Sequence, residues 1–133
     1  MKRIKIKNEK TNIINENGRP SLKYFLDIMN FTKLISNIEK RPRAYLLNES
    51  IRDLYNLLLG FSLSDHEKDT EEIFFFDSFS SYVNTKVFGF RETNYSWEQV
   101  LMLLSGGNEQ IALKNFFNLY HELKMLKKDK EQG

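Results

Sequence analysis

Cysteine is absent from the chain, so no disulfide can staple it and no thiolate can hold a metal; such usage fits a reducing compartment. Histidine is scarce too, with only His66 and His121. A metal centre or a base-activated nucleophile would have to be assembled almost wholly from carboxylates and hydroxyls, and neither is expected. Proline occurs twice, at Pro20 and Pro42, which leaves most of the chain free to stay helical. No apolar run approaches the roughly 20 residues of a membrane span, and none of signal-peptide length follows the basic start at Lys2, Arg3, Lys5 and Lys7. A soluble, cytoplasmic protein is the expectation, with no membrane partner. The Asn30-Phe31-Thr32, Asn48-Glu49-Ser50 and Asn94-Tyr95-Ser96 sequons then have no secretory route to act through.

Aromatic residues are abundant. Eleven Phe and six Tyr in 133 residues point to a core of packed rings in one domain of ordinary size. Charge is plentiful but unevenly placed: the net +2 combines +4 over residues 1–10, +2 over residues 124–133 and −4 over the body between them. Basic ends on an acidic body read as solvated tails, because the body opposes close approach to phosphate. A nucleic-acid partner is therefore unlikely.

The longest helical pattern is Asn108 to Lys128, where Ile111, Ala112, Phe116, Phe117, Leu119, Tyr120, Leu123 and Leu126 recur at spacings of one, three and four. Asn108 is its N-cap, and Lys124, Lys127, Lys128 and Lys130 suit its carbonyl end. From the other end, Met1 to Lys10 alternates basic and apolar residues, as an exposed strand or a disordered arm would, and Thr11 to Pro20 is rich in turn formers. Ser21 opens a helical pattern through Ile38, with a break at Asn30 to Thr32, and Pro42 ends it. Arg41 to Leu46 reads as an extended connector in which Arg41 serves as the positioned cation and Arg43 is exposed. Ser50 caps a helix that Gly60 stops, and Ser62 to Glu72 reads as an exposed acidic loop. Ile73 to Phe76 is ambiguous between strand and helix lead-in. A helix from about Ser78 to Val87 follows, then one capped by Ser96 with Glu98 in its first turn, Leu104 facing inward and Gly106 as stop. The expected fold is mainly α: a compact single-domain bundle of about five helices over residues 21–128, a basic arm or short strand pair over residues 1–20, and a disordered tail over residues 129–133.

Motifs that would carry chemistry fail on inspection. His121-Glu122 lacks the second histidine of a zinc-protease helix, because position 125 is Met125. Gly106-Gly107 precedes a helix, but no Lys-Ser or Lys-Thr pair follows, so it is a turn rather than a phosphate cradle. Phe74-Phe75-Phe76 and Tyr45 could stack bases, yet aromatics on apolar faces are usually core. No residue set proposes a reaction, so the chain is not expected to be an enzyme, and no cofactor or metal is expected.

An ordered set of short motifs spans Phe31 to Leu123: Arg41-Pro42 with Tyr45-Leu46; Ser50-Ile51 with Leu54, then Gly60-Phe61; Phe79 with Tyr82-Val83; Ser96-Trp97; and Glu109, Ala112, Phe116-Phe117, Leu119, Glu122. In this order and spacing the chain resembles a family of small bacterial proteins that look like immunity proteins encoded beside toxin genes. Ala44 and Leu47 depart from it, standing where that family usually has Met and Gly. The resemblance implies a small, rigid body that binds a cognate toxin domain, a nuclease being one class that fits, and blocks it without chemistry of its own. The expected partner-binding residues are Asp65, Glu67, Asp69, Glu71 and Glu72, whose charge would steer association with a basic cleft. A nucleic-acid-binding or other small protein-interaction module is the alternative.

Overall fold

The computed structural model describes residues 29–132, which form six helices and no strand. The expected N-terminal arm or strand pair, and the helix from Ser21 to Ile28, lie outside the described residues. Helix α1 (Phe31–Lys40) starts where Asn30 caps it, its side chain accepting from the Lys33 amide, so the expected break at Asn30 is a helix boundary. The Arg41 to Leu46 connector is not extended throughout. Arg41 is extended ahead of proline, but Pro42 then occupies the first position of a one-turn helix, α2 (Pro42–Tyr45), where its missing N–H costs nothing. Nor does Arg41 hold this connector: its side chain makes no ion pair among the described residues, while the Arg43 guanidinium donates to Glu49. Glu49 is also the one non-glycine residue here with positive φ, at 49°, so the left-handed step of the connector falls two residues beyond Leu47.

Ser50 caps α3 (Ile51–Leu63) as expected, accepting from the Asp53 amide. Gly60 does not stop it. The helix runs one turn further because Ser62 and Ser64 fold their hydroxyls back onto the Leu59 and Phe61 carbonyls. Helix α4 (Thr70–Phe88) begins eight residues earlier than its periodicity suggested, with Asp69 as N-cap and Gly89 at φ 84° as the left-handed terminator. Ile73 to Phe76 is therefore helix. Ser96 and Gln99 close a reciprocal capping box on α5 (Trp97–Leu104), so the partner in the cap is Gln99, while Glu98 is buried. The end of α5 is a Schellman motif: Gly107 N–H donates to Met102 O at 2.9 Å, and Gly106 N–H to Leu103 O at 3.2 Å. Asn108 caps α6 (Glu109–Gln132), which continues past Lys128 where a disordered tail was expected.

The core is one cluster of rings and aliphatics. Phe75 sits at its centre, 4.9 Å from Phe31, 4.8 Å from Phe79, and 6.0 Å from each of Trp97, Phe116 and Tyr120 by ring centroids. Leu54, Trp97, Phe116 and Phe117 are buried in the same cluster, as expected of them. The short α5 packs against α3, α4 and α6, so it acts as the wedge that the longer helices close on. Leu104, expected to face inward, is instead half-exposed, and so are Ile111 and Leu126 of the α6 pattern.

Candidate functional site

The five carboxylates of the acidic stretch do not form one exposed loop. Only residues 64–69 connect α3 to α4, and within them Asp65 and Glu67 are exposed. Asp69 is committed to the helix cap, with its carboxylate accepting from the Glu72 amide at 2.9 Å. Glu71 stands on the first turn of α4 and reaches across to α6, where Lys127 Nζ lies 3.4 Å from its carboxylate. Glu72 is buried outright, with 1 % of its surface exposed. The exposed-loop reading is corrected for it.

What Glu72 meets in the interior is His66, whose side chain is 5 % exposed and whose Nε2 lies 2.8 Å from Glu72 Oε1. On its other side the ring nitrogen Nδ1 faces Ser64 Oγ at 2.9 Å and Ser64 O at 3.2 Å. Ser64 Oγ spends its own proton on the Phe61 carbonyl at 2.6 Å, so Nδ1 is the donor there. The bond to Glu72 then carries one further proton, held between His66 Nε2 and Glu72 Oε1. Phe61 covers the imidazole at 4.4 Å, while Glu72 Oε2 is buried without a hydrogen bond and sees only Lys68 Nζ at 4.0 Å. This pair ties the 64–69 loop to the first turn of α4. One signal in the sequence points to Glu72 as an interior residue: the Phe75, Phe79, Val83 stripe carried back by three residues lands on it.

A second polar seam joins α4 to α6. Tyr82 donates its phenolic hydrogen to Glu122, and Lys86 Nζ lies 2.7 Å from the same carboxylate. The bond from Lys86, and then that from Tyr82, holds the Glu122 carboxyl below its usual range; burial, and then the bond to Glu122, pushes the Tyr82 phenol up. Tyr120 is buried nearby with no hydrogen-bond partner for its hydroxyl, and burial, reinforced by the charge of Glu71, raises its phenol to about 12. His121 is exposed and pairs with Glu39 of α1 at 2.8 Å. Among the described residues no three histidines or carboxylates are grouped as metal ligands, and no helix is long and apolar enough to cross a membrane.

Chemically, these arrangements brace surfaces rather than offer a reacting centre. The exposed features are the Asp65–Glu67 corner, apolar side chains at Phe90, Tyr95, Leu103, Leu104 and Ile111, and a groove of about 870 Å³ between α4 and the distal part of α6. Comparison with protein-family models, curated proteins and solved structures finds no match to the chain.

Proposed function

We propose that the chain is a cytoplasmic immunity protein that binds and neutralises a cognate bacterial toxin domain, acting as a non-catalytic inhibitor. Most of the family-like motif residues fall on caps, turns and buried or partly buried positions, which is what a rigid binding body needs, while Gly60 and Glu122 are exposed within helices. The observation that carries the reading is the braced corner: Asp65 and Glu67 stand exposed on six residues pinned at one end by His66–Glu72 and at the other by the Asp69 cap. A short loop held this way loses little entropy on binding, and two carboxylates on it raise the encounter rate with a basic cleft. Asp69 and Glu71 contribute to the field from beside it, and Glu72 acts as the internal brace.

The test is coexpression of this chain with a toxin domain encoded beside its gene. The native chain should restore growth and bind the toxin. D65K/E67K should fold normally, associate more slowly by roughly tenfold and lose much of the salt dependence of association. An unchanged on-rate in the reversed variant removes the corner from the interface, and failure of the native chain to bind removes the immunity reading.

A further inference from the structure

Glu98 is the second interior carboxylate, 7 % exposed, and it has no brace like that of Glu72. Among the described residues nothing donates a hydrogen bond to it, and its nearest cation, Arg52 Nη2 on α3, stands at 4.0 Å, beyond hydrogen-bond range. A largely desolvated carboxylate without hydrogen-bond donors is costly to keep, and what the fold returns is small: the first-turn field of the short α5 and Arg52 at the limit of ion-pair range, since Gln99 completes the cap. Glu98 opens instead into a groove of about 430 Å³ whose other walls include Tyr95, Met102, Leu103 and the Gly106–Gly107 turn. These walls combine an aromatic ring, a thioether and the carbonyl pole of α5, which also favours positive charge. Arg52 is 69 % exposed on its side chain, so it stands at the rim and leaves the carboxylate's acceptor sites open.

We propose that this groove is a socket for a basic side chain of a partner protein, with the alkyl stem against Met102 and Leu103 and the cation on Glu98. Two features identify the occupant. The groove wall is apolar enough to take methylenes, and its floor holds a carboxylate that accepts no hydrogen bond among the described residues, a combination that matches arginine or lysine and disfavours an acidic residue. Leu104 and Ile111, on either side of the α5–α6 turn in sequence, are half-exposed apolar side chains. The inference deepens the immunity reading, since it names the chemistry by which a basic toxin surface would be gripped at a place away from Asp65 and Glu67. Its test does not depend on any toxin.

The full chain, isotopically labelled, is titrated with Nα-acetyl-arginine methylamide and separately with the neutral Nα-acetyl-norleucine methylamide, while backbone amide resonances are followed. The arginine probe should give saturable shifts at Met102, Leu103, Gly106 and Gly107 with a dissociation constant of about millimolar order, and the neutral probe should bind at least about tenfold more weakly. Glu98→Gln keeps the shape and removes the charge, and should abolish the preference. Arg52→Ala keeps Glu98 and removes its competitor, and should retain or strengthen it. Equal shifts from the two probes, no saturation with arginine up to roughly fifty times the expected constant, or an unchanged preference in Glu98→Gln would each overturn the proposal.

Discussion

Phe75 and Phe76 are neighbours on one turn of α4 with the same side chain, and they should differ several-fold in what they contribute. Phe75 is 2 % exposed and its ring meets six others at centroid distances of 4.8 to 6.0 Å, from α1, α4, α5 and α6. Phe76 is 37 % exposed and meets Phe31 at 5.7 Å and Phe75 at 5.1 Å. Truncating a fully buried Phe costs about 3–5 kcal/mol, made of lost transfer free energy and the cavity left behind. Four helices converge on the Phe75 site, so it cannot collapse easily, and the upper half of that range applies to Phe75→Ala. Phe76→Ala removes a ring still partly in water and should cost about 1 kcal/mol. The first loss is comparable to the whole stability of a marginal domain, so Phe75→Leu, expected to cost about 1–2 kcal/mol, keeps the comparison measurable. Urea unfolding followed by circular dichroism reads all three. Equal losses for Phe75→Leu and Phe76→Leu would refute the placement of Phe75 at the convergence of the helices.

Glu72→Ala leaves His66 unpaired in the interior and should cost about 3–5 kcal/mol, with a coupling above about 1 kcal/mol in the double-mutant cycle with His66→Ala; additive losses would show that the two do not interact. Tyr120→Phe removes a buried hydroxyl that has no partner, so at neutral pH urea unfolding should show it as neutral or more stable by up to about 1 kcal/mol. The same variant tests alkaline behaviour. With the Tyr120 phenol raised to about 12 in the fold and near 10 when unfolded, the folded state holds its proton longer, so stability present below pH 10 is lost as pH rises toward 12. Tyr120→Phe should soften that loss in thermal scans, leaving the part due to Tyr82. Ser96→Ala breaks the reciprocal cap of α5 and should lower stability by about 1 kcal/mol in urea unfolding, with Ser96→Asp restoring most of it.

Helix positions that rest on local chemistry were legible from residues alone. Ser50, Ser96 and Asn108 each act as the cap that their side chains suggest, because a cap needs only its own next turn. The misreadings share a cause as well. Gly60 and Pro42 are breakers only on average; one sits mid-helix with open space around its missing Cβ, the other begins a helix where its ring is tolerated. Crowded charge hid the start of α4: Glu71 and Glu72 look like loop residues, yet acidic side chains belong in a first turn, and the buried histidine that makes Glu72 tolerable comes from six residues away. Of the acidic residues expected at an interface, the stretch itself was visible, but which side chains face water was not, because that depends on how α4 docks.

The interior polar contacts have a common placement. His66–Glu72 fixes the α3–α4 loop to α4; Asn84 accepts from Thr93 at 2.7 Å and fixes the α4–α5 loop to α4; Asn115 donates to Ser105 at 2.9 Å and fixes the α5–α6 turn to α6. In each case a helix side chain reaches out of the core stripe to hold the connector beside it. Apolar residues of the same volume would serve stability as well or better, since a desolvated polar group at best recovers what it lost from water. What such a contact adds is a single position for the connector. All three connectors adjoin the exposed charges: the α3–α4 loop carries Asp65 and Glu67, and the other two bring Tyr95 and the Gly106–Gly107 turn to the groove at Glu98. A loop already held in place gives up little freedom when a partner arrives, and its charges stay at fixed separations, so affinity gained at these surfaces is not lost again to ordering. Freeing one connector should therefore separate stability from recognition. Leu34→Ala, in the buried stripe of α1 and on none of these connectors, should cost stability alone, whereas His66→Phe, which keeps the bulk of the ring and frees the loop, should weaken partner binding by more than its stability loss explains; equal behaviour of the two in a binding assay at a temperature where both are folded would refute the role of the brace.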